Sequence, residues 1–190
     1  MTNDYEATPN PARPTRPQLY DEPVRRAAVL TQLDAIYAWG ENDYDDETET
    51  RERIVTTVAD VIDGEHDAYR ACRELERDGY ESDANLVDLV SQVIGNLYVV
   101  WQDAERAWVR DTGGPEQKFA MGDRVTWHRI RMKTAGTYTG EVVKVDTARA
   151  VYHVFCEELG HVRRGERRSG TLASVVNFED AWVAQPDGAT

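Results

Sequence analysis

The sequence predicts an α+β protein made of two domains, an all-α domain of four helices followed by a small five-stranded β-barrel. Up to about residue 112 the apolar residues recur every three or four positions, which is the period of an α-helix. Beyond Pro115 this period gives way to alternation, and Gly-containing or charged segments separate short runs rich in β-branched and aromatic residues. The 190 residues are enough for two compact units.

The first 19 residues predict a disordered, proline-containing tail. Pro9, Pro11, Pro14 and Pro17 recur at near-regular spacing, and the segment has few apolar residues to bury. Its second half also fits a loose PxxP pattern, which leaves a docking peptide open as the alternative.

Two helices are expected next, on either side of an acidic loop. The first begins near Asp21, has Pro23 in its first turn and ends at Gly40. The second follows a run in which six of nine residues are acidic, and it ends at about Asp63, just before Gly64. Apolar residues at helical spacing give each of them one face for a core.

The fourth predicted helix is the longest element in the chain. After a short third helix over about residues 65–78, Ser82 is a suitable N-cap for a helix from Asp83 to Arg110. Only Glu105 interrupts its apolar stripe. At 1.5 Å per residue this helix would be about 40 Å long, so we expect it to be the spine of a helical domain over residues 20–112.

A linker over residues 113–117 is expected to lead into the barrel, which occupies residues 118–184 and is followed by a short tail, 185–190. The strands are predicted from alternating or β-branched runs. They include residues 119–127, 142–145, 151–156, 172–178 and 181–183.

Three segments of this second domain resemble, in the same order, those of SH3-like barrels of the Tudor and KOW kind. They are residues 119–127 (FAMGDRVTW), 140–145 (GEVVKV) and 152–154 (YHV). The resemblance implies that Gly122 and Asp123 form the turn into the first strand and that Gly140 opens the second. Barrels of this kind bind peptides, modified side chains, RNA, DNA and other subunits, so the resemblance implies binding but names no ligand.

Charge is divided unevenly between the two predicted domains. Residues 1–112 contain 25 acidic and 11 basic side chains, a formal net charge of −14, whereas residues 113–190 contain 10 acidic and 11 basic ones, a net charge of +1. An acidic surface repels nucleic acid and attracts basic proteins. Mimicry of nucleic acid, adaptation to high salt and simple solubility all stay open as reasons for it.

The sequence indicates no catalytic chemistry. It contains no nucleophile-elbow, phosphate-loop or HExxH motif. His153, Cys156 and His161 suggest a metal site, but positions 153 and 156 of one strand point to opposite faces, and a fourth ligand is not evident. We therefore expect no enzyme activity, cofactor or metal. The unpaired cysteines and the lack of a signal-like or membrane-spanning apolar run predict a cytoplasmic protein.

The candidate partner-binding residues lie in two long loops of the barrel and on the strands beside them. Loops of small barrels commonly converge on one rim, where cations contact phosphate or carboxylate groups and aromatic rings stack on bases. The candidates are Trp127, Arg129, Arg131, Lys133, Tyr138, Arg163, Arg164, Arg167 and Arg168.

The leading hypothesis is a non-enzymatic protein-binding accessory or assembly factor that uses both domains as contact surfaces. A nucleic-acid-associated factor that binds through the Arg-rich loops is the alternative, and an acidic nucleic-acid mimic that inhibits a basic protein is a second. Self-association also stays open, because Tyr98, Trp101 and Trp108 would form an apolar strip on the spine if the other helices left them exposed.

Overall fold

The computed structural model describes residues 14–40, 47–64, 67–129, 136–159 and 173–183. Within these ranges, five α-helices precede a five-stranded antiparallel sheet, so the predicted α+β class is confirmed. The chain divides into two compact units, residues 1–105 and 106–190, and the division falls within the last helix. No helix in the described ranges combines the length and apolar character needed to cross a membrane.

The helical unit has five described helices where the sequence predicts four. They are α1 (Glu22–Leu30), α2 (Leu33–Trp39), α3 (Glu47–Val61), α4 (Ala68–Arg77) and α5 (Ala84–Thr112). The extra helix arises because the predicted first helix is broken after Leu30. The backbone of Gln32 leaves the helical region, with φ −124° and ψ 6°, and Thr31 Oγ1 donates a hydrogen bond of 2.7 Å to the Ala28 carbonyl.

The long helix α5 is present as predicted, but its N-cap differs from the prediction, and it is α3 that has the more extensive backbone contacts with α1, α2 and α4. The carboxylate of Asp83 accepts a 2.8 Å hydrogen bond from the Leu86 amide and caps the first turn, while the Ser82 hydroxyl bonds instead to Glu76. One stripe of α5 enters the core of the unit, whereas Tyr98 on another side is exposed. The core side chains contributed by α5 are Leu86, Val90, Val93 and Leu97.

Residues 14–20, assigned by sequence to a disordered tail or docking peptide, contact the helices. The Arg16 guanidinium lies 2.9 Å from the Glu105 carboxylate, and the Trp101 indole donates a 3.0 Å hydrogen bond to the Pro17 carbonyl. Leu19 also packs against the core. For this part of the tail the structure corrects the prediction, because Glu105, which interrupts the apolar stripe of α5, is a buried partner for Arg16.

The sheet unit contains the five predicted strands. They are β1 (Arg124–Arg129), β2 (Gly136–Asp146), β3 (Val151–Phe155), β4 (Ser174–Asn177) and β5 (Ala181–Val183), in the order β4-β3-β2-β1-β5. Short 3-10 turns follow β3 and precede β5. The predicted barrel is not closed, since no ladder joins β4 to β5 within the described residues.

Strand β2 belongs to two ladders. Residues Gly136 to Glu141 pair with β1, and residues Glu141 to Asp146 pair with β3, with a register shift between Val142 and Lys144. Gly140 lies inside the strand, before this shift, and not at the start of the strand as predicted. A Cβ atom there would collide with the Phe155 carbonyl oxygen, so the close approach of β3 requires glycine.

Tyr152 organises the core of the sheet unit. Its ring stacks on Phe178 with centroids 4.4 Å apart, and its hydroxyl accepts hydrogen bonds from the Lys118 and Phe119 amides at 2.9 and 3.1 Å. These bonds fix the segment that enters β1. The turn at Met121–Gly122, predicted from the Gly-Asp pair, follows with Gly122 at φ +89°.

Candidate functional site

Three of the nine predicted contact residues lie within the described ranges. Trp127 and Arg129 are on β1, and Tyr138 is on β2. The other six lie outside the described residues and are Arg131, Lys133, Arg163, Arg164, Arg167 and Arg168. The strands β1 and β3, which precede the two predicted loops, are described, and both are antiparallel to β2. Their last residues, Arg129 and Phe155, therefore end strands that run in the same direction.

Trp127 is a core residue, which corrects its assignment as a partner-binding or base-stacking side chain. It is only 4% exposed and belongs to the buried cluster of the sheet unit. Its ring centroid lies 6.0 Å from that of Tyr138, which is half-buried against the same cluster. Because buried rings offer no free face, Trp127 stabilises the sheet and does not form a contact surface.

The opposite face of β1 and β2 is polar and is tied together by side-chain hydrogen bonds. Side chains alternate along a strand, so Thr126 and His128 point away from the core that Trp127 enters. Thr126 Oγ1 lies 3.1 Å from Thr139 Oγ1, and His128 Nδ1 lies 3.3 Å from Thr137 Oγ1, across the β1–β2 ladder. Thr126 is itself buried, so the accessible polar groups of this face are those of His128 and Thr137, with part of Thr139.

Trp182 adds a large exposed aromatic ring to this polar face. It is paired in register with Thr126, its neighbours in β5 are Ala181 and Val183, and its side chain is 45% exposed. The sequence predicts this strand but indicates no function for Trp182. The signal available was the alternation, since a small buried residue at 181 places residue 182 on the outer face.

Strand β5 is also an edge of the sheet. Among the described strands it pairs only with β1, through three residues, and its outer side has no ladder partner in those ranges. Edge strands present unpaired backbone groups that accept another extended segment. The exposed ring of Trp182 and the edge of β5 therefore lie together, and with the exposed His128 and the half-buried Thr139 they form what we call the Trp182 face.

Charges of both signs surround the Trp182 face. Arg124 and Glu141 are opposed in register at one end of the β1–β2 ladder, and the exposed Glu179 and Asp180 precede β5. A phosphate-binding surface has an excess of cations. These four residues give no such excess, since Arg124 stands against Glu141, Glu179 and Asp180.

The residues considered for metal binding are separated by burial. Cys156 is buried in the core, whereas His153 lies on the outer side of β3, and His161 is outside the described residues. The Nε2 atom of His153 is enclosed without a hydrogen-bond partner in the described ranges. Burial lowers the pKa of His153, and the nearby Lys144 ammonium lowers it further, so the imidazole is neutral at pH 7.

The sheet unit thus presents one exposed aromatic face on an edge strand, beside a core that contains the tryptophan first predicted to bind. Comparison of the chain with protein-family models, with curated proteins and with solved structures finds no significant match.

Proposed function

We propose that this chain is a non-enzymatic protein-binding accessory or assembly factor, whose sheet unit is an SH3-like module that binds an extended segment of a partner protein. The observation that supports this most directly is Trp182, a large aromatic residue left 45% exposed on the edge strand β5. Tryptophan is among the residues most enriched at the energetic centres of protein interfaces. An exposed one beside an unpaired strand edge favours a binding role.

The SH3-like assignment is supported by how the strands are joined. The last strand, β5, lies beside the first, and β2 serves both ladders, with Gly140 and a register shift between Val142 and Lys144 where the two ladders meet. A bulge and a glycine in a long strand are the usual means by which a small sheet curls toward a barrel. The 3-10 turn Phe178–Asp180 then directs the chain from β4 to the opposite edge.

The expected partner segment is extended and contains both apolar and polar side chains. Its backbone would pair with the outer side of β5, and an apolar side chain would pack on the Trp182 ring. The exposed His128 imidazole and the half-buried Thr139 hydroxyl offer hydrogen bonds to polar side chains of the segment. Because the face has charges of both signs, the partner segment need not be strongly charged.

The experiment that tests this function is affinity capture with the full chain, followed by reconstitution with the purified protein it retains. Trp182→Ala is the test variant, and Tyr69→Ala is the matched control, because Tyr69 is an exposed aromatic residue on α4. Loss of a central aromatic contact costs about 2 kcal/mol or more, so we expect at least about thirtyfold weaker binding for Trp182→Ala. The control should bind as the unmodified chain does.

Two outcomes would reject the proposed function. One is a reconstituted complex whose affinity is the same with Trp182→Ala. The other is recovery of nucleic acid alone, with binding that weakens steeply as salt is raised and is abolished by charge reversal in the Arg-rich loop. That loop contains Arg163, Arg164, Arg167 and Arg168. The second outcome would establish the nucleic-acid alternative in its place.

A further inference from the structure

A cleft of about 590 Å³ opens in the helical unit, well separated in sequence from the Trp182 face. It is bounded by the end of α2, one side of α3 and the connection between α4 and α5. Its lining residues are Ile36, Trp39, Gly40, Arg53, Ile54, Thr57, Asp78, Gly79, Tyr80, Glu81, Ser82 and Asp83. A volume of this size accommodates a long side chain of a bound protein.

Apolar and aromatic side chains form part of the cleft, beside a larger share of polar groups. Ile36 and Ile54 are buried in the core of the unit and line the cleft, as do the half-buried rings of Trp39 and Tyr80. The Trp39 indole is fixed, because its Nε1 donates a 3.0 Å hydrogen bond to Asp83 Oδ1. Fixed aromatic walls suit the alkyl stem of a long side chain and, at its end, a cation over a ring face.

The charged groups of the cleft are mostly acidic. Asp78, Glu81 and Asp83 line it against a single cation, Arg53, which gives the lining a formal net charge of −2. Hydrogen bonds from the Leu86 amide and the Trp39 indole hold the pKa of Asp83 below its usual range, so this carboxylate stays charged. The cleft lies in the half of the chain that has the formal net charge of −14.

A buried polar atom of one lining residue also lacks a partner. The Tyr80 hydroxyl is enclosed and makes no hydrogen bond within the described residues. An enclosed hydroxyl costs free energy until a donor or acceptor satisfies it. Because this hydroxyl is sealed from solvent, other atoms of Tyr80 line the cleft.

We propose that this cleft binds an arginine or lysine side chain of a basic partner protein. The Trp39 and Tyr80 side chains receive the alkyl stem, and the carboxylates of Asp78 and Glu81 pair with the cationic end group. An anionic ligand would face three carboxylates, and a wholly apolar one would gain no ion pair from them. The proposed site belongs to the helical unit and does not depend on the contact proposed for Trp182.

The test uses the full chain, labelled for NMR, and a capped Gly-Arg-Gly peptide as the probe. The peptide should shift the Trp39 indole and Tyr80 amide resonances in a saturable way, and a peptide with citrulline in place of arginine should not, since citrulline is uncharged. Asp78→Asn with Glu81→Gln removes both carboxylates that we propose to pair with the arginine. Because these ion pairs would be exposed, the double variant should bind the peptide about fivefold more weakly. Raising the salt should weaken it as well.

A matched control separates the cleft from the overall acidity of the unit. Glu22→Gln with Asp88→Asn removes the same two charges from exposed helix positions that do not line the cleft, and this variant should bind the peptide as the unmodified chain does. The proposal is overturned if both double variants bind equally well, or if arginine and citrulline peptides bind alike. Absence of any saturable shift at about 20 mM peptide in low salt overturns it too.

Discussion

Arg16 and Glu105, 89 positions apart in the sequence, form an ion pair of 2.9 Å between side chains that are 6% and 0% exposed. The pair ties the N-terminal segment to α5. Buried charges are tolerated only when they are paired and hydrogen-bonded, because each loses its hydration. Removal of one partner therefore has a larger effect than removal of both.

Arg16→Met should lower the free energy of unfolding of the helical unit by about 3 kcal/mol, because it leaves the Glu105 carboxylate buried without its cation. Urea unfolding followed by far-ultraviolet circular dichroism measures this change. The double variant Arg16→Met with Glu105→Leu should regain most of the loss. Arg77→Met, which removes the exposed Arg77–Glu74 pair, should cost under about 1 kcal/mol. Equal losses for Arg16→Met and Arg77→Met would contradict this role of the buried pair.

Replacement of glycine by alanine should change stability in opposite directions at two positions, Gly140 and Gly95. At Gly140 an alanine Cβ would collide with the Phe155 carbonyl oxygen and lie 2.8 Å from Val154 Cγ1, so Gly140→Ala should destabilise the sheet unit by about 2 kcal/mol. At Gly95, within α5, a Cβ meets nothing within 4 Å, so Gly95→Ala should stabilise the helical unit by about 0.5–1 kcal/mol. Amide hydrogen exchange measures the stability of each unit separately. If Gly140→Ala leaves the stability of the sheet unit unchanged, β3 can move away from β2 to make room for the methyl group.

The helix ends and the strand sequence could be predicted because local signals mark them. A glycine follows the end of four of the five described helices, at Gly40, Gly64, Gly79 and Gly113, and the apolar period changes near Pro115. The break after Leu30 could not be predicted in this way, because Thr31 and Gln32 are not helix breakers. The Thr31 hydroxyl bonds to the Ala28 carbonyl and also accepts a 3.0 Å hydrogen bond from Asn96 on α5, which is a tertiary contact.

The contact residues were harder to predict than the fold, because exposure depends on register. Trp127 and Trp182 both lie in short strands, and a shift of one position exchanges the core face for the solvent face. The structure resolves the ambiguity by pairing Trp127 with Ala181 and Thr126 with Trp182. Sequence alone likewise identified Glu105 as an interruption of the apolar stripe, yet nothing local indicated that Arg16 would pair with it.

These registers predict different consequences for the two tryptophans. Trp127→Ala should destabilise the sheet unit by about 3 kcal/mol or more, since the ring is buried in its core. Trp182→Ala should cost less than about 1 kcal/mol, because the ring is largely exposed. Hydrogen exchange of the β1 and β2 amides measures both effects. A large loss of protection in Trp182→Ala would mean that this ring stabilises the sheet. The binding role of Trp182 would then have to be tested with a substitution that keeps the fold.

The buried thiol of Cys72 predicts a dependence of stability on alkaline pH. Burial, together with the nearby Glu76 carboxylate, raises the pKa of Cys72 from 9.0 to about 11. Between these values the unfolded chain has lost the thiol proton while the folded chain retains it, so the free energy of unfolding should fall as the pH rises, by about 2 kcal/mol in all. Urea unfolding of the unmodified chain and of Cys72→Ala, compared from about pH 8 to pH 11, isolates the contribution of this group. If the two curves keep a constant separation across that range, the thiol titrates equally in both states and is not held protonated by the fold.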